Sequence, residues 1–207
     1  MRNGRGRPRG AAARPAVAAL VAGAFALAAT ATATAQPTEA QRQKAEPCAA
    51  CHGAEGRAPL ADTPALAAQP KQFITTQLVM FREGNRKNVV MNALAAPLSN
   101  ADINDLGSFF AAQAAPLPVG ALLSPDAAAA GRALTEKLLC TQCHGAELKG
   151  QQHIPRLAGQ RADYLKAQLL GFKAQTRFDM DGNMTSAAQP LTPADIEALS
   201  AYLGSLR

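Results

Sequence analysis

The sequence predicts an all-α protein built as two tandem small domains. Three observations carry that reading. Apolar residues recur at helical spacing, as in Ile103, Leu106, Phe109 and Phe110, and again in Ile196, Leu199, Tyr202 and Leu203. Strand signals are weak throughout the 207 residues. The chain also repeats itself. "CAACHG" at 48–53 returns as "CTQCHG" at 140–145, and "PALAAQ" at 64–69 returns as "PRLAGQ" at 155–160. "QLVMF" at 77–81 matches "QLLGF" at 168–172, and "LSNADI" at 98–103 matches "LTPADI" at 191–196, with an offset between 91 and 93 throughout. Duplication of one small domain is the economical account.

The first element belongs to neither domain. Residues 1–35 open with an arginine-rich stretch lacking acidic residues, continue with the apolar run "AVAALVAGAFALAA" and end on "TATATA". That is the layout of a signal peptide, with cleavage expected after Ala35, and the run is short for a membrane span. Removing its five arginines leaves 16 basic and 15 acidic residues, a net charge of +1 in place of the whole chain's +6. Nothing then supports a nucleic-acid surface.

The first domain is expected over 36–113 and the second over 126–207. Residues 114–125, with three prolines and a glycine, form the linker. Helices over 38–46 and 126–139 should lead into the cysteine strings, and helices over 71–83 and 161–174 should follow them. The last helix of each half has the clearest start: Ser99 with Asp102, and Thr192 with Asp195, form capping-box patterns, and Pro193 suits a first turn. Each half has roughly 85 residues, near the lower limit for a self-sufficient core. After the leader there is no Trp, and only six Phe and two Tyr. Something large and apolar should therefore sit at the centre of each half.

The repeated string says what. C-x-x-C-H is the attachment pattern of a c-type haem. Two thiols one helical turn apart can form thioethers with the two vinyl groups of one haem, and the adjacent histidine then lies under the iron. Cys48, Cys51, Cys140 and Cys143 are the candidate attachment residues, and His52 and His144 the candidate iron ligands. The rivals fit less well. A disulfide framework gives no reason for a histidine after each pair. A structural zinc needs four ligands, and each half offers three. A thioredoxin-like pair expects a preceding strand.

For the sixth iron position the methionines are informative. Met91 lies seven residues before Leu98, and Met184 seven before Leu191, so they occupy equivalent repeat positions in stretches that read as loops. Met80 sits at helical spacing and reads as core, and Met180 has no counterpart. His153, close after His144, reads as a surface-loop residue. His/Met ligation raises the reduction potential relative to His/His and leaves no open coordination position, which suits electron transfer over catalysis. Pro64 and Pro155 are placed to offer backbone carbonyls to His52 and His144. Arg82, Arg86, Lys87, Lys173 and Arg177 are candidate partners for haem propionates.

With these residues assembled, the chain resembles the di-haem class I c-type cytochromes of the cytochrome c4 family. The resemblance covers nearly all of 40–207. It rests on the two C-x-x-C-H-G strings, "PRLAGQ" with "YLKAQLLGF", "FREGNR", and the Met-x6-Leu-Ser/Thr-x-x-Asp-Ile ending of each half. It implies two tandem cytochrome c domains, each wrapped around one covalent haem, with two haem c groups in all. It also implies an interface where propionates meet, and service as a periplasmic electron carrier rather than an enzyme. The expected partners are redox proteins: a quinol-oxidising complex or dehydrogenase as donor, a terminal oxidase as acceptor. Peripheral membrane association is compatible with the resemblance. The alternative is a di-haem subunit of a dehydrogenase complex such as flavocytochrome c sulfide dehydrogenase. A di-haem peroxidase would need an exchangeable ligand, which the paired Met91 and Met184 argue against. Two departures mark the first half. "PALAAQ" carries Ala68 where a glycine is usual, which predicts an altered loop. The first helix lacks a counterpart of Gly131, which predicts looser packing of first on last helix.

Overall fold

The computed structural model describes residues 36–119 and 122–207, with Met1 and Gly4 besides. The signal peptide expected over 1–35 otherwise lies outside the described residues. Residues 34–207 pack as one compact unit. Among the described residues, regular structure is helical apart from a single bridge between Gln151 and Ile154. The first half contains α1 (Glu39–His52), α2 (Lys71–Arg82), α3 (Val89–Ala95) and α4 (Asn100–Ala111). The second contains α5 (Pro125–Lys137), α6 (Cys140–His144), α7 (Ala162–Lys173), α8 (Asn183–Ala188) and α9 (Pro193–Ser205).

The helices start where side chains can satisfy their free amides. Thr38 with Gln41, Ser99 with Asp102 and Thr192 with Asp195 form complete capping boxes at α1, α4 and α9. Ser124 caps α5, and Pro125 follows it at the first turn, one residue before the expected start of the second domain.

The cysteine strings are delivered differently in the two halves. The helix expected to stop near residue 46 continues through Pro47 to His52. The helix expected over 126–139 stops at Lys137, and Leu139 takes a left-handed conformation (φ 58°, ψ 28°) before α6 begins at Cys140. Pro47 and Leu139 occupy the same repeat position. Proline's fixed φ is compatible with continuing the helix, at the expense of one amide bond. Leucine in the left-handed region costs about 1–2 kcal/mol and turns the chain instead.

In each half, the first and middle long helices pack on the last: α1 and α2 against α4, and α5 and α7 against α9. All eight apolar positions read from the last helices are buried. Phe109 and Phe110 meet edge to face with ring centroids 5.1 Å apart. Gly131 of α5 lies directly against Tyr202 of α9; a Cβ there would stand 2.2 Å from the tyrosine Cβ. The first half has no such contact. A crevice of about 500 Å³ opens between Glu39, Gln43 and Ala45 of α1 and Phe109 of α4. Helix α1 is tied to α4 at its other side by Lys44, whose ammonium reaches Asp102 at 2.6 Å and Asp105 at 2.8 Å.

The halves are joined by two buried glutamines. Gln69 donates to the carbonyl of Arg156 (3.0 Å) and accepts from its amide (2.9 Å). Gln160 does the same to Ala65, at 2.9 and 2.7 Å. Gln69 and Gln160 are 91 positions apart, and so are their targets Ala65 and Arg156, so the joint has approximate two-fold symmetry. The oxygen and the nitrogen of each side-chain amide both find a partner, as burial demands.

Two outcomes follow from this packing. Gly131→Ala should destabilise the second half by about 1–3 kcal/mol, because the alanine methyl must push α5 off α9; denaturant unfolding of the variant measures it. The Lys44 pair sets an acid limit. Its hydrogen bonds, with those of Ser99, hold the Asp102 carboxyl far below the ordinary carboxylate value of 3.8. A group depressed on folding contributes stability above its unfolded value and loses it as pH falls below that value. The difference in thermal midpoint between the wild-type protein and Lys44→Met should therefore be level above about pH 4 and shrink below it.

Candidate functional site

Each cysteine string forms one helical turn that ends at a buried histidine. His52 is 7% exposed and His144 4%. The next residue must reverse the chain at once. Gly53 (φ 76°, ψ 163°) and Gly145 (φ 82°, ψ 157°) occupy a region that only glycine enters freely, which explains the final letter of each string. The Nδ1 of His52 lies 2.9 Å from the Pro64 carbonyl oxygen, and the Nδ1 of His144 lies 2.8 Å from that of Pro155. Burial pushes both imidazoles below their ordinary value, against the opposing effect of the carbonyl bond. A neutral imidazole that donates from Nδ1 keeps a lone pair on Nε2, the state an iron ligand needs.

The loops that carry the prolines fold alike. Leu66 and Ala67 donate to the Gly56 carbonyl, as Leu157 and Ala158 donate to that of Leu148. Ala68 donates to Phe110 at 2.9 Å, as Gly159 donates to Leu203 at 3.0 Å. The altered loop expected from "PALAAQ" is therefore not found. Ala68 takes the glycine-like conformation (φ 54°), held by its bond to α4.

None of the four cysteines is joined in a disulfide. Cys51 and Cys143 are exposed; Cys48 and Cys140 are half-buried, and desolvation raises both of the latter thiols. In the first half, Cys48, Cys51, His52, Pro64 and Met91 line one cavity of about 790 Å³. Met91 and Met184 do not lie in loops. They sit in the first turns of the short helices α3 and α8, which hold them more firmly than a loop could. Asn88 accepts from the Met91 amide, and Asn92 binds α3 to the carbonyls of Phe81, in the last turn of α2, and Arg86, in the turn that follows. Asp179 accepts from the Met184 amide, and Met184, like Cys140, packs against the second core. Met80 is buried and Met180 is 65% exposed. His153 is half-exposed and 2.7 Å from Asp181, so it fastens its own loop to the one preceding α8.

The cavity has an apolar body, including Ile74, Leu78, Phe81, Leu98 and Phe110, and a cationic end where the halves meet. Arg86 donates to Gln77 (2.6 Å) in its own half, and to Tyr164 (2.9 Å) and Gln168 (3.1 Å) across the joint. Arg177 donates to Gln168, and its Nε is buried without a partner. Burial lowers Arg177 to about 10, which leaves it cationic at neutral pH. Desolvation would raise the Tyr164 phenol, but the charges of Arg86 and Arg177 outweigh it and the net direction is down. Neither arginine is paired with a carboxylate among the described residues. Arg82 and Lys173 do not join this group. They bind the carbonyls of Leu98 and Gln189 within their own halves.

An apolar slot closed by a helical Cys-x-x-Cys-His turn at one side, a methionine in its lining and guanidinium groups at its end fits a haem. The macrocycle matches the apolar body, and anionic propionates match the arginines and the orphaned Nε. Among the described residues, no three His, Cys, Asp or Glu side chains converge as a metal cluster, so the zinc alternative finds no donor set. Among the residues here that carried no assignment in the sequence are Gln69, Gln160 and Tyr164. The glutamines end the repeated "PALAAQ" and "PRLAGQ", and their retention in both copies was the available signal.

Comparison with known proteins agrees with the site. The family model described as cytochrome c matches residues 128–207. A cytochrome c4 of Pseudomonas aeruginosa is 35% identical over 81% of this chain and 87% of its own length. A thiosulfate dehydrogenase electron acceptor of Thiomonas intermedia is 36% identical over 78% of this chain and 79% of its own. The crystal structure of reduced recombinant cytochrome c4 from Pseudomonas stutzeri superposes with a TM-score of 0.75 at 31% identity, covering 84% of this chain and all of the other.

Proposed function

We propose that this chain, which belongs to the cytochrome c4 family of di-haem c-type cytochromes, is a periplasmic electron carrier of a respiratory chain with one His/Met-ligated iron in each half. The protein binds two covalent haem c groups and transfers electrons. Each haem supplies a one-electron couple; the chain's own residues do the rest. Cys48 with Cys51, and Cys140 with Cys143, hold the two macrocycles. His52 and His144 offer Nε2 to iron while Pro64 and Pro155 fix their rings. Met91 and Met184 would supply the remaining ligand to each iron. Arg86 and Arg177 would neutralise propionates at the joint. The observation that carries this reading is the pairing of each buried, proline-anchored histidine with a helix-held methionine at the same repeat position. Full protein ligation leaves no coordination position for substrate, so the chain acts as a carrier rather than an enzyme.

Export supports the periplasmic assignment: the leader layout over 1–35 is that of a cleaved signal peptide. Among the described residues no helix is long and apolar enough to cross a membrane. The domains we assign are 36–113 and 126–207, each with its own apolar cluster. The similarity to a thiosulfate dehydrogenase electron acceptor favours a second reading, in which the chain serves one dehydrogenase as its dedicated acceptor.

The ligation is tested by the weak near-infrared methionine-to-iron band of the oxidised protein. Met91→Ala and Met184→Ala should each remove about half of it, one iron of two; a variant that retains the full band excludes that methionine. Native mass separates the two roles. A carrier should purify as the single chain, whereas stable co-purification with a dehydrogenase would establish the dedicated acceptor.

A further inference from the structure

The glutamine joint and the histidine anchors share atoms. The Pro64 carbonyl that accepts from His52 and the Ala65 amide that donates to Gln160 belong to one peptide unit. The Pro155 carbonyl that accepts from His144 and the Arg156 amide that donates to Gln69 belong to another. Each proximal histidine is thus linked, through a single planar peptide, to a glutamine of the opposite half. The glutamines are 3% and 4% exposed, so their bonds act without competition from water. A peptide whose N–H is engaged has a more negative carbonyl oxygen, because amide resonance couples the two ends. A more negative acceptor draws the Nδ1 proton outward and makes the imidazole a stronger electron donor at Nε2.

We propose that Gln160 and Gln69 are positioning residues that set the reduction potentials crosswise, Gln160 that of the haem bound by the first half and Gln69 that of the haem bound by the second. The inference rests on ligation by His52 and His144 as proposed above. A stronger imidazole donor favours the ferric state. Each glutamine therefore holds the opposite haem at a lower potential than its own half would give it. The joint between the domains then acts on the distribution of the electron between the haems, not on cohesion alone.

Gln160→Met keeps the side-chain length and removes both hydrogen bonds to Ala65, with the one that Gln160 accepts from the Arg161 amide; Gln69→Met removes both bonds to Arg156. In the half-reduced, haem-loaded full-length protein, haem-methyl NMR resonances assigned to each haem report where the electron resides. Gln160→Met should shift the partition about threefold toward the first haem, and Gln69→Met about threefold toward the second. At 59 mV per tenfold, that is roughly 28 mV in each case. A joint that merely loosens would move both variants the same way, and that result, or no shift in either, overturns the inference. Gln160→Glu retains an acceptor for the Ala65 amide in either protonation state, so its electron should stay at the wild-type partition or move toward the second haem. If it moves toward the first haem, as in Gln160→Met, the coupling is excluded. Should a methionine variant not accumulate, Gln160→Asn and Gln69→Asn, one methylene short of the peptide, give the same readout. The near-infrared band of the wild-type protein tests the ligation independently, so failure of the crosswise shift with that band intact counts against the glutamines only.

Discussion

The bond from a histidine Nδ1 to a proline carbonyl organises each half of the molecule. It selects the tautomer, fixes the ring plane and leaves Nε2 directed into an apolar space. Much of the fold can be traced back to making that bond possible. The string must be helical so that two thiols and the imidazole project from one turn. Glycine must follow so that the chain can double back. The returning loop must then bring its proline within 3 Å of the ring, which its bonds to Gly56 or Leu148 and to the last helix accomplish. The last helix is in turn the element on which the other long helices pack.

The two copies of this plan have diverged at identifiable points. Pro47 continues a helix where Leu139 breaks one. Ala65 stands where the second half has the buried Arg156, whose guanidinium donates to the Ala158 carbonyl. Phe73 stands where the second half has Tyr164, so Arg86 finds a hydroxyl across the joint and Arg177 does not. Each change alters charge or hydrogen bonding beside residues that hold a cofactor, so the two sites present unequal surroundings.

Much of this was legible in the sequence because it rests on local rules. Helical periodicity gave the buried faces of α4 and α9, and Ser-x-x-Asp and Thr-x-x-Asp gave their starts. The spacing of thiols and histidine gave the cofactor. What was not legible depends on contacts distant in the chain. The short helix around Met91 is capped by Asn88, and Asp179, outside the helix around Met184, accepts from its first amides; both patterns are weaker than a capping box. The fate of Ala68 depended on a carbonyl at the end of α4. Arg82 was indistinguishable from Arg86 until the fold placed one beside Leu98 and the other beside Tyr164. The glutamines were invisible as a joint because a bond from a side chain to a backbone 87 or 95 residues away leaves no spacing signature.

The two-fold symmetry of that joint has a further consequence. A residue that contacts its partner's peptide while the partner's equivalent returns the contact is the geometry of a homodimer. Here both copies lie on one chain, so the contact forms within the molecule and does not depend on protein concentration. A pair that cannot separate tolerates differences between its two copies that a dimer of identical chains could not have.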